Sequence, residues 1–302
     1  MKRIALMGAV LILGLTALAQ SNNQQPPAQP ASGQQGAQSG AAQPGTAQPG
    51  AAQAPAKHPP QAKTQPEFDD YKKAVALNDP AAMEAAANDF ATKYPDSELR
   101  KPLYLTNLRL YQSANPDKTI EIGRKVLAID PDDPEALVTV ASVLAERTRD
   151  TDLDKDQRLN EAIKMAQRAT ETINTDSDVP AGTPQEKADA YNALIVSNAY
   201  SIMGTVKFNK GDYKGAEADL RKSIDAYPPQ PDPVAVLRLA LTLDKQNRYP
   251  EALDVAGQAA QIAAESTQVG ELARKECDRL VQLSGKPKPA ACNASAAAAP
   301  PK

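Results

Sequence analysis

Tryptophan is missing from this 302-residue chain, phenylalanine occurs three times and histidine once. Two cysteines, Cys277 and Cys292, and the single His58 fall short of a zinc site, which takes about four Cys or His ligands when structural and three when catalytic. A basic excess is missing too, since the formal net charge is −3. No field exists to draw in nucleic acid or an anionic membrane. The folded part has no histidine to pair with a serine or cysteine nucleophile, and there is no phosphate-binding loop, so the chain is expected to be non-enzymatic and free of cofactor and metal. Acidic and basic residues spaced three or four apart are expected to be surface ion pairs worth a few tenths of a kcal/mol. What is abundant is alanine, with 26 prolines as punctuation. Alanine-rich helices with few aromatics suit stacked helical layers rather than one large core.

Length alone allows about one or two domains, but the composition is uneven along the chain. Residues 1–19 carry Lys2 and Arg3, an apolar stretch from Ile4 to Leu18 and the small-x-small triplet Ala17-Leu18-Ala19 before Gln20. This is the pattern of a cleaved signal peptide, and its apolar run is shorter than the roughly 20 residues that span a bilayer. The mature chain is expected to be exported, periplasmic or secreted, with no membrane span after cleavage. No cysteine follows the apolar stretch to take a lipid. Residues 20–66 are Pro, Gln, Ala, Gly and Ser and cannot form a core, so they are expected to be a disordered spacer, His58 included.

Helical periodicity begins near Glu67. Two apolar runs, 67–78 and 80–95, form a hairpin with Pro80 in a first turn, and 97–114 with 115–131 form a second in which Gly123 interrupts an otherwise regular face. Residues 134–148 and 159–174 make a third, separated by the charged insertion 149–157. That insertion lacks the glycine and distal glutamate of a calcium loop, and its alternating charge suggests a solvated loop or a helix extension. Residues 185–209 form a long helix. Thr267 to Leu283 gives a last amphipathic helix, and residues 284–302 are low-complexity and expected to be mobile.

The stretch 199–228 carries the strongest pattern: Tyr200, Met203, Gly204, Gly211, Tyr213, Ala216, Leu220 and Pro228, with Ser223 as a second small residue. It resembles a tetratricopeptide repeat, departing from it at Lys207, where the family places an aromatic and this chain has Phe208 one residue later. The pattern recurs 36 residues on, where Tyr249 answers Tyr213 and Ala252 answers Ala216, against a family period of about 34. The likeness covers about residues 67–283 and is strongest over 199–264. It implies an all-α, right-handed superhelical solenoid of about five antiparallel hairpins closed by a capping helix, because one hairpin cannot bury its apolar face alone.

The resemblance also implies a function. Such arrays are protein-interaction scaffolds that hold an extended peptide or helix on a concave face formed by the first helix of each pair. By the family's positions that face carries Glu135, Val138 and Ser142, then Asn198, Ser201 and Thr205, then Val234, Leu237, Arg238 and Leu241. The repeats that grip chaperone C-termini use Lys and Asn there, so that role is not expected with Arg238 as the lone basic candidate. An alternative is a structural part of an envelope assembly complex. The stretch NDFATKYPDSEL is similar to the tetratricopeptide lipoproteins of outer-membrane barrel assembly and to cell-division coordinators, although the lipid-bearing cysteine is missing. With recognisable ends to the array, the chain is expected to be a monomer. Cys277 and Cys292 are either joined in the oxidising compartment that export implies, or Cys277 is buried as a small apolar residue and Cys292 is free.

Overall fold

The computed structural model describes residues 59–177, 179–180, 182–264 and 267–293. The expected signal peptide, nearly all of the spacer including His58, and residues 294–302 lie outside them. Within them the chain is all helical: α1 (Gln65–Val75), α2 (Pro80–Lys93), α3 (Arg100–Tyr111), α4 (Pro116–Ile129), α5 (Pro134–Arg147), α6 (Lys155–Thr172), α7 (Gln185–Asn209), α8 (Tyr213–Ala226), α9 (Pro233–Lys245), α10 (Tyr249–Ile262) and α11 (Gln268–Ser284). Each helix packs on the next, which is the order of a solenoid.

The starts of the helices are written in the sequence. Asp79-Pro80, Asn115-Pro116, Asp133-Pro134 and Asp232-Pro233 each place an acceptor side chain at the N-cap and a proline at the first helical position. The cap side chain takes an otherwise orphaned N–H, as Asp79 does from Ala82 at 2.8 Å and Asn115 from Lys118 at 3.1 Å. The proline has no N–H to lose there. The ends are as regular. After α7, Gly211 adopts φ 82, its N–H donates to Phe208 O at 3.0 Å and Asp212 N–H donates to Lys207 O at 3.0 Å. After α9, Asn247 adopts φ 60 with the same two bonds, to Asp244 O and from Arg248 to Leu243 O. Asn247 therefore holds the left-handed cap that glycine holds one repeat earlier, a conformation asparagine tolerates better than most side chains. Phe208 packs edge-on against Tyr213 with centroids 5.6 Å apart, while Lys207 pairs with the buried Asp219 at 2.6 Å. The displaced aromatic thus stays in the interhelical seam and the helix ends at Asn209.

The odd-numbered helices touch one another directly, α1 with α3, α5 with α7, α7 with α9 and α9 with α11. The even-numbered ones are bridged instead by long charged side chains. Lys118 of α4 reaches Glu84 of α2 at 2.8 Å, Arg124 of α4 reaches Glu161 of α6 at 3.1 Å, and Arg248 at the start of α10 reaches Glu217 of α8 at 2.6 Å. Closer spacing on one side makes the odd row the inner, concave one. Between the rows lie Met83, Leu103, Leu108, Ile122, Leu220, Leu243, Leu253 and the alanines Ala162, Ala166 and Ala169, all fully buried.

Four expectations are corrected. Gly123 does not weaken α4; a Cβ there would overlap the Val140 side chain of α5 and sit 3.5 Å from Leu108, so the missing side chain is what lets the two helices close up. The insertion is loop only up to Asp154, because the helix-extension alternative holds for Lys155, Asp156 and Gln157, which belong to α6, leaving a turn with Leu153 fully exposed. The folded part also starts before residue 67: Thr64 caps α1, and Gln61 N–H donates to Glu98 at 3.1 Å.

The fourth correction concerns the tail. Residues 285–293 are not loose. Gly285 turns the chain at φ 67, Lys286 pairs with Asp254 at 3.1 Å, Lys288 pairs with Asp278 at 2.6 Å, and Pro289 lies on the bare face of Gly257. Cys292, in a 3-10 turn, is joined to Cys277 by a disulfide, and both are buried. Two prolines in KPKPAA lower the entropy lost on docking. Because the tail is held in the folded state, the crosslink acts chiefly on the unfolded chain. Closing a loop of about 15 residues is worth about 3 kcal/mol in the chain-entropy model. Cys292→Ser is expected to lower stability by that order and to raise amide exchange first in α10 and α11, as read by denaturant melts and hydrogen exchange.

Candidate functional site

The inner face is built on a floor that ties three helices together. Arg109 of α3 donates from Nε and Nη2 to the two carboxylate oxygens of Glu135 on α5, both at 2.6 Å. Tyr191, on the N-terminal extension that makes α7 25 residues long, donates its hydroxyl to the same carboxylate at 2.8 Å. Burial, with the Glu135 charge adding, pushes the Tyr191 phenol far up, and the Glu135 hydrogen bonds raise Arg109. Glu135 thus has its charge matched within the protein and is spent as architecture.

That placement divides the residues expected to line the groove. Val138, Thr205, Val234 and Leu237 are buried along with Glu135, whereas Ser142, Asn198, Ser201, Arg238 and Leu241 are half-buried and reachable. The inner helices approach so closely that family groove positions fall into the seams between layers. Leu237 is the clearest case: at 1% exposure it packs with Val236, Ala259, Ala260 and Ala273 of its own and the two following helices.

The reachable set lies on α5, α7 and α9, where α5 packs against α7 and α7 against α9. Arg238 of α9 donates from Nη1 to Thr205 Oγ1 of α7 at 2.5 Å, and Thr205 passes its own hydrogen to Ser201 O at 2.7 Å. One turn beyond Ser142, Glu146 accepts from the Ser142 hydroxyl at 3.0 Å. Asp232 caps α9 by accepting from Val234 N–H at 2.9 Å. Arg238, Glu146 and Asp232 feel one another's charge, yet none has an ion-pair partner among the described residues. Burial in the concavity pushes the Glu146 carboxyl up, with Asp232 adding and Ser142 and Arg238 opposing. It raises Asp232 and lowers Arg238 in the same way. Glu146 is nonetheless exposed to water.

The raised Glu146 has a stability consequence whose sign is opposite to that of an ordinary paired carboxylate. The folded chain binds this proton more tightly than the unfolded chain does, so no cost exists well below the usual value of 4.5. The cost builds as pH rises through the folded pKa and is fully present at neutrality. Glu146→Gln is expected to melt with the wild type in acid and above it at pH 7, as followed by circular dichroism.

Three residues of this site were not among those expected from the family's positions. Glu146 follows Ser142 by one helical turn, and Asp232 is the N-cap of an Asp-Pro start; both signals were present in the sequence. Tyr191 had none, since its role depends on how far α7 extends across α5. Among the described residues no group of three or more His, Cys, Asp or Glu comes together to hold a metal ion, and no helix is long and apolar enough to cross a membrane.

No family model and no curated protein matches the chain. Among solved structures, the assembly chaperone of RpL4 (Acl4), residues 1–338, is similar over 73% of this chain and 99% of that one, at 13% identity and a TM-score of 0.34. A likeness that distant carries no argument, and the architecture stands on the helix order and packing described above.

Proposed function

We propose that the chain is a non-enzymatic scaffold of the tetratricopeptide type, whose inner helix row receives an extended segment of a protein partner. One observation carries this: on the inner helices α5, α7 and α9, Ser142, Asn198, Ser201, Arg238 and Leu241 stay reachable, and Glu146, Asp232 and Arg238 have no ion partner among the described residues. Elsewhere charges of the same kind are paired, as in Arg109–Glu135, Lys207–Asp219 and Arg248–Glu217. Leaving desolvated charges uncompensated costs stability, and a ligand that meets them recovers that cost. The exact spacing of 36 residues between the caps Gly211 and Asn247 supports the repeat assignment.

The chain acts outside the cytoplasm as a monomer. Residues 1–19 have the form of an export signal, and the Cys277–Cys292 bond supports an oxidising compartment. N-terminal sequencing of protein recovered from cells tests this, with a mature start near Gln20 expected and an intact Met1 contradicting it. For the groove, random extended peptides displayed on phage are selected on the full chain. Ser201→Arg, on the inner face, is expected to weaken the selected peptides at least about tenfold, while Arg221→Ala on outer helix α8 leaves them unchanged. Equal binding to both variants would show that the groove is not the site.

A further inference from the structure

We infer that residues 285–293 are a redox-released strap: the Cys277–Cys292 bond holds them on a socket formed by α10 and α11, and a dithiol that reduces the bond lets them go. The socket is built for them. Gly257 lies in the middle of α10, where glycine is the poorest choice after proline for helix stability, and a Cβ there would stand 3.2 Å from Pro289 and 3.7 Å from Cys292 Sγ. The missing side chain leaves the notch that the strap fills. Cys292 enters it beside Cys277, Leu253, Ala256 and Leu280, in one buried cluster.

What holds the strap besides the bond is slight. Lys286–Asp254 and Lys288–Asp278, at 3.1 and 2.6 Å, are exposed pairs of the kind that salt screens and that contributes little. The hydrogen bonds of the 3-10 turn, from Cys292 N–H to Pro289 O at 3.0 Å and from Asn293 N–H to Ala290 O at 3.1 Å, close within the strap and tie it to neither helix. Only Cys292 is buried; Pro289 and Ala291 are half-buried, and the other residues from Gly285 to Asn293 are exposed. Even with two prolines, ordering that much chain costs more than burying so few side chains returns. A strap without its crosslink therefore leaves the socket.

The cover over the sulfurs decides how release begins. Cys277 is 0% and Cys292 1% exposed, so attack by a thiolate waits for local opening around Cys292. One thiolate of the dithiol then bonds to Cys292 Sγ, the Cys277–Cys292 bond breaks, and Cys277 leaves as a thiolate that takes up a proton. The second thiolate closes on the first to form a cyclic disulfide and frees Cys292 as a thiol. Two electrons and two protons pass from the dithiol to the protein, and a disulfide oxidant reverses the exchange. The last layer of the array thereby reports the thiol–disulfide balance of its surroundings.

The test uses the folded, isotope-labelled full chain. On addition of dithiothreitol, the NMR order parameters of the Lys286, Lys288 and Ala290 to Asn293 amides are expected to fall from about 0.85 to below about 0.6, while those of α1 to α9 hold. Cys292→Ser is expected to show the low values without reductant. Gly257→Leu fills the notch from the α10 side and is expected to speed reduction, counted as alkylatable thiols by mass spectrometry, by about tenfold or more, with circular dichroism checking its helices. If the strap stays rigid once both thiols are free, packing holds it and the bond is no latch. If the bond is reduced as fast in the folded chain as in the urea-unfolded one, the sulfurs are not covered and release is not gated. If it resists dithiothreitol for as long as the array is folded, the strap does not lift. Equal reduction rates in Gly257→Leu and the wild type would show that the notch does not seat the strap.

Discussion

Replacing Gly123 with leucine is expected to destabilise the array by about 3 kcal/mol or more and to lower its melting temperature by about 10 °C. The expectation comes from a contact that has no room. A Cβ at this position would overlap the Val140 side chain of α5 and touch Leu108 of α3, and both neighbours are essentially fully buried. Neither can swing out to solvent, so the added volume must push α4 away from α5 or force side chains off their rotamers. Alanine makes the sharper diagnostic. In an exposed helix, Gly→Ala stabilises by up to about 1 kcal/mol through backbone entropy, whereas at Gly123 the overlap begins with the Cβ itself. Gly123→Ala is therefore expected to be destabilising, a reversal of sign that denaturant titration detects directly. A stabilising alanine would mean that α4 and α5 do not approach as described.

The second large effect is expected at Leu237. At 1% exposure it sits between α9, α10 and α11, so Leu237→Asp loses about 2–3 kcal/mol of burial and also places a carboxylate where nothing pairs with it. A loss above about 4 kcal/mol follows, enough to melt a marginally stable element. Because each layer of a solenoid leans only on its neighbours, the damage should be local. Helical signal and exchange protection are expected to vanish from α9 to α11 while α1 to α5 keep theirs. Leu241→Asp, one turn along on the half-buried side, is expected to cost far less. If Leu237→Asp leaves the helical content unchanged, Leu237 faces the groove and the packing of the last three helices is wrong.

These two positions also show where sequence legibility ended. The start of α2 was plain because Pro80 acts within one turn, and the long α7 was bounded correctly at Gln185 and Asn209 because periodicity and breakers are local signals. Tyr213 and Tyr249 marked the repeat for the same reason. Gly123 looked like a flaw because its value lies in Val140, a residue 17 positions away on another helix. Leu237 looked like a groove residue because family spacing says which helix face a residue occupies, but not how near the next layer comes. Glu135 was expected to meet a partner and is instead matched by Arg109 and Tyr191, 26 and 56 residues away. Asn247 escaped notice because a left-handed cap was sought in glycine. The tail was legible in composition but not in outcome, since docking depends on the space above Gly257 and on the buried sulfur of Cys277.

The electrostatics of the two rows follow from the same curvature. On the outer row, long side chains bridge helices that stand apart, and Lys118, Arg124 and Arg248 reach acids of neighbouring layers there. Such exposed pairs contribute only tenths of a kcal/mol each and orient layers more than they stabilise them. On the inner row, crowding lowers the solvation of Glu146, Asp232 and Arg238 without giving them partners. Three partly desolvated charges without ion partners on the inner row are the physical basis of the proposal that binding takes place there.

Hydrogen exchange of the full chain, with and without the tightest of the peptides selected on it, tests that placement most directly. The account predicts slower exchange on binding within α5, α7 and α9, centred on the turns that carry Ser142, Ser201 and Arg238, with α6, α8 and α10 unchanged. Protection confined to the outer helices, or spread evenly over both rows, would contradict it.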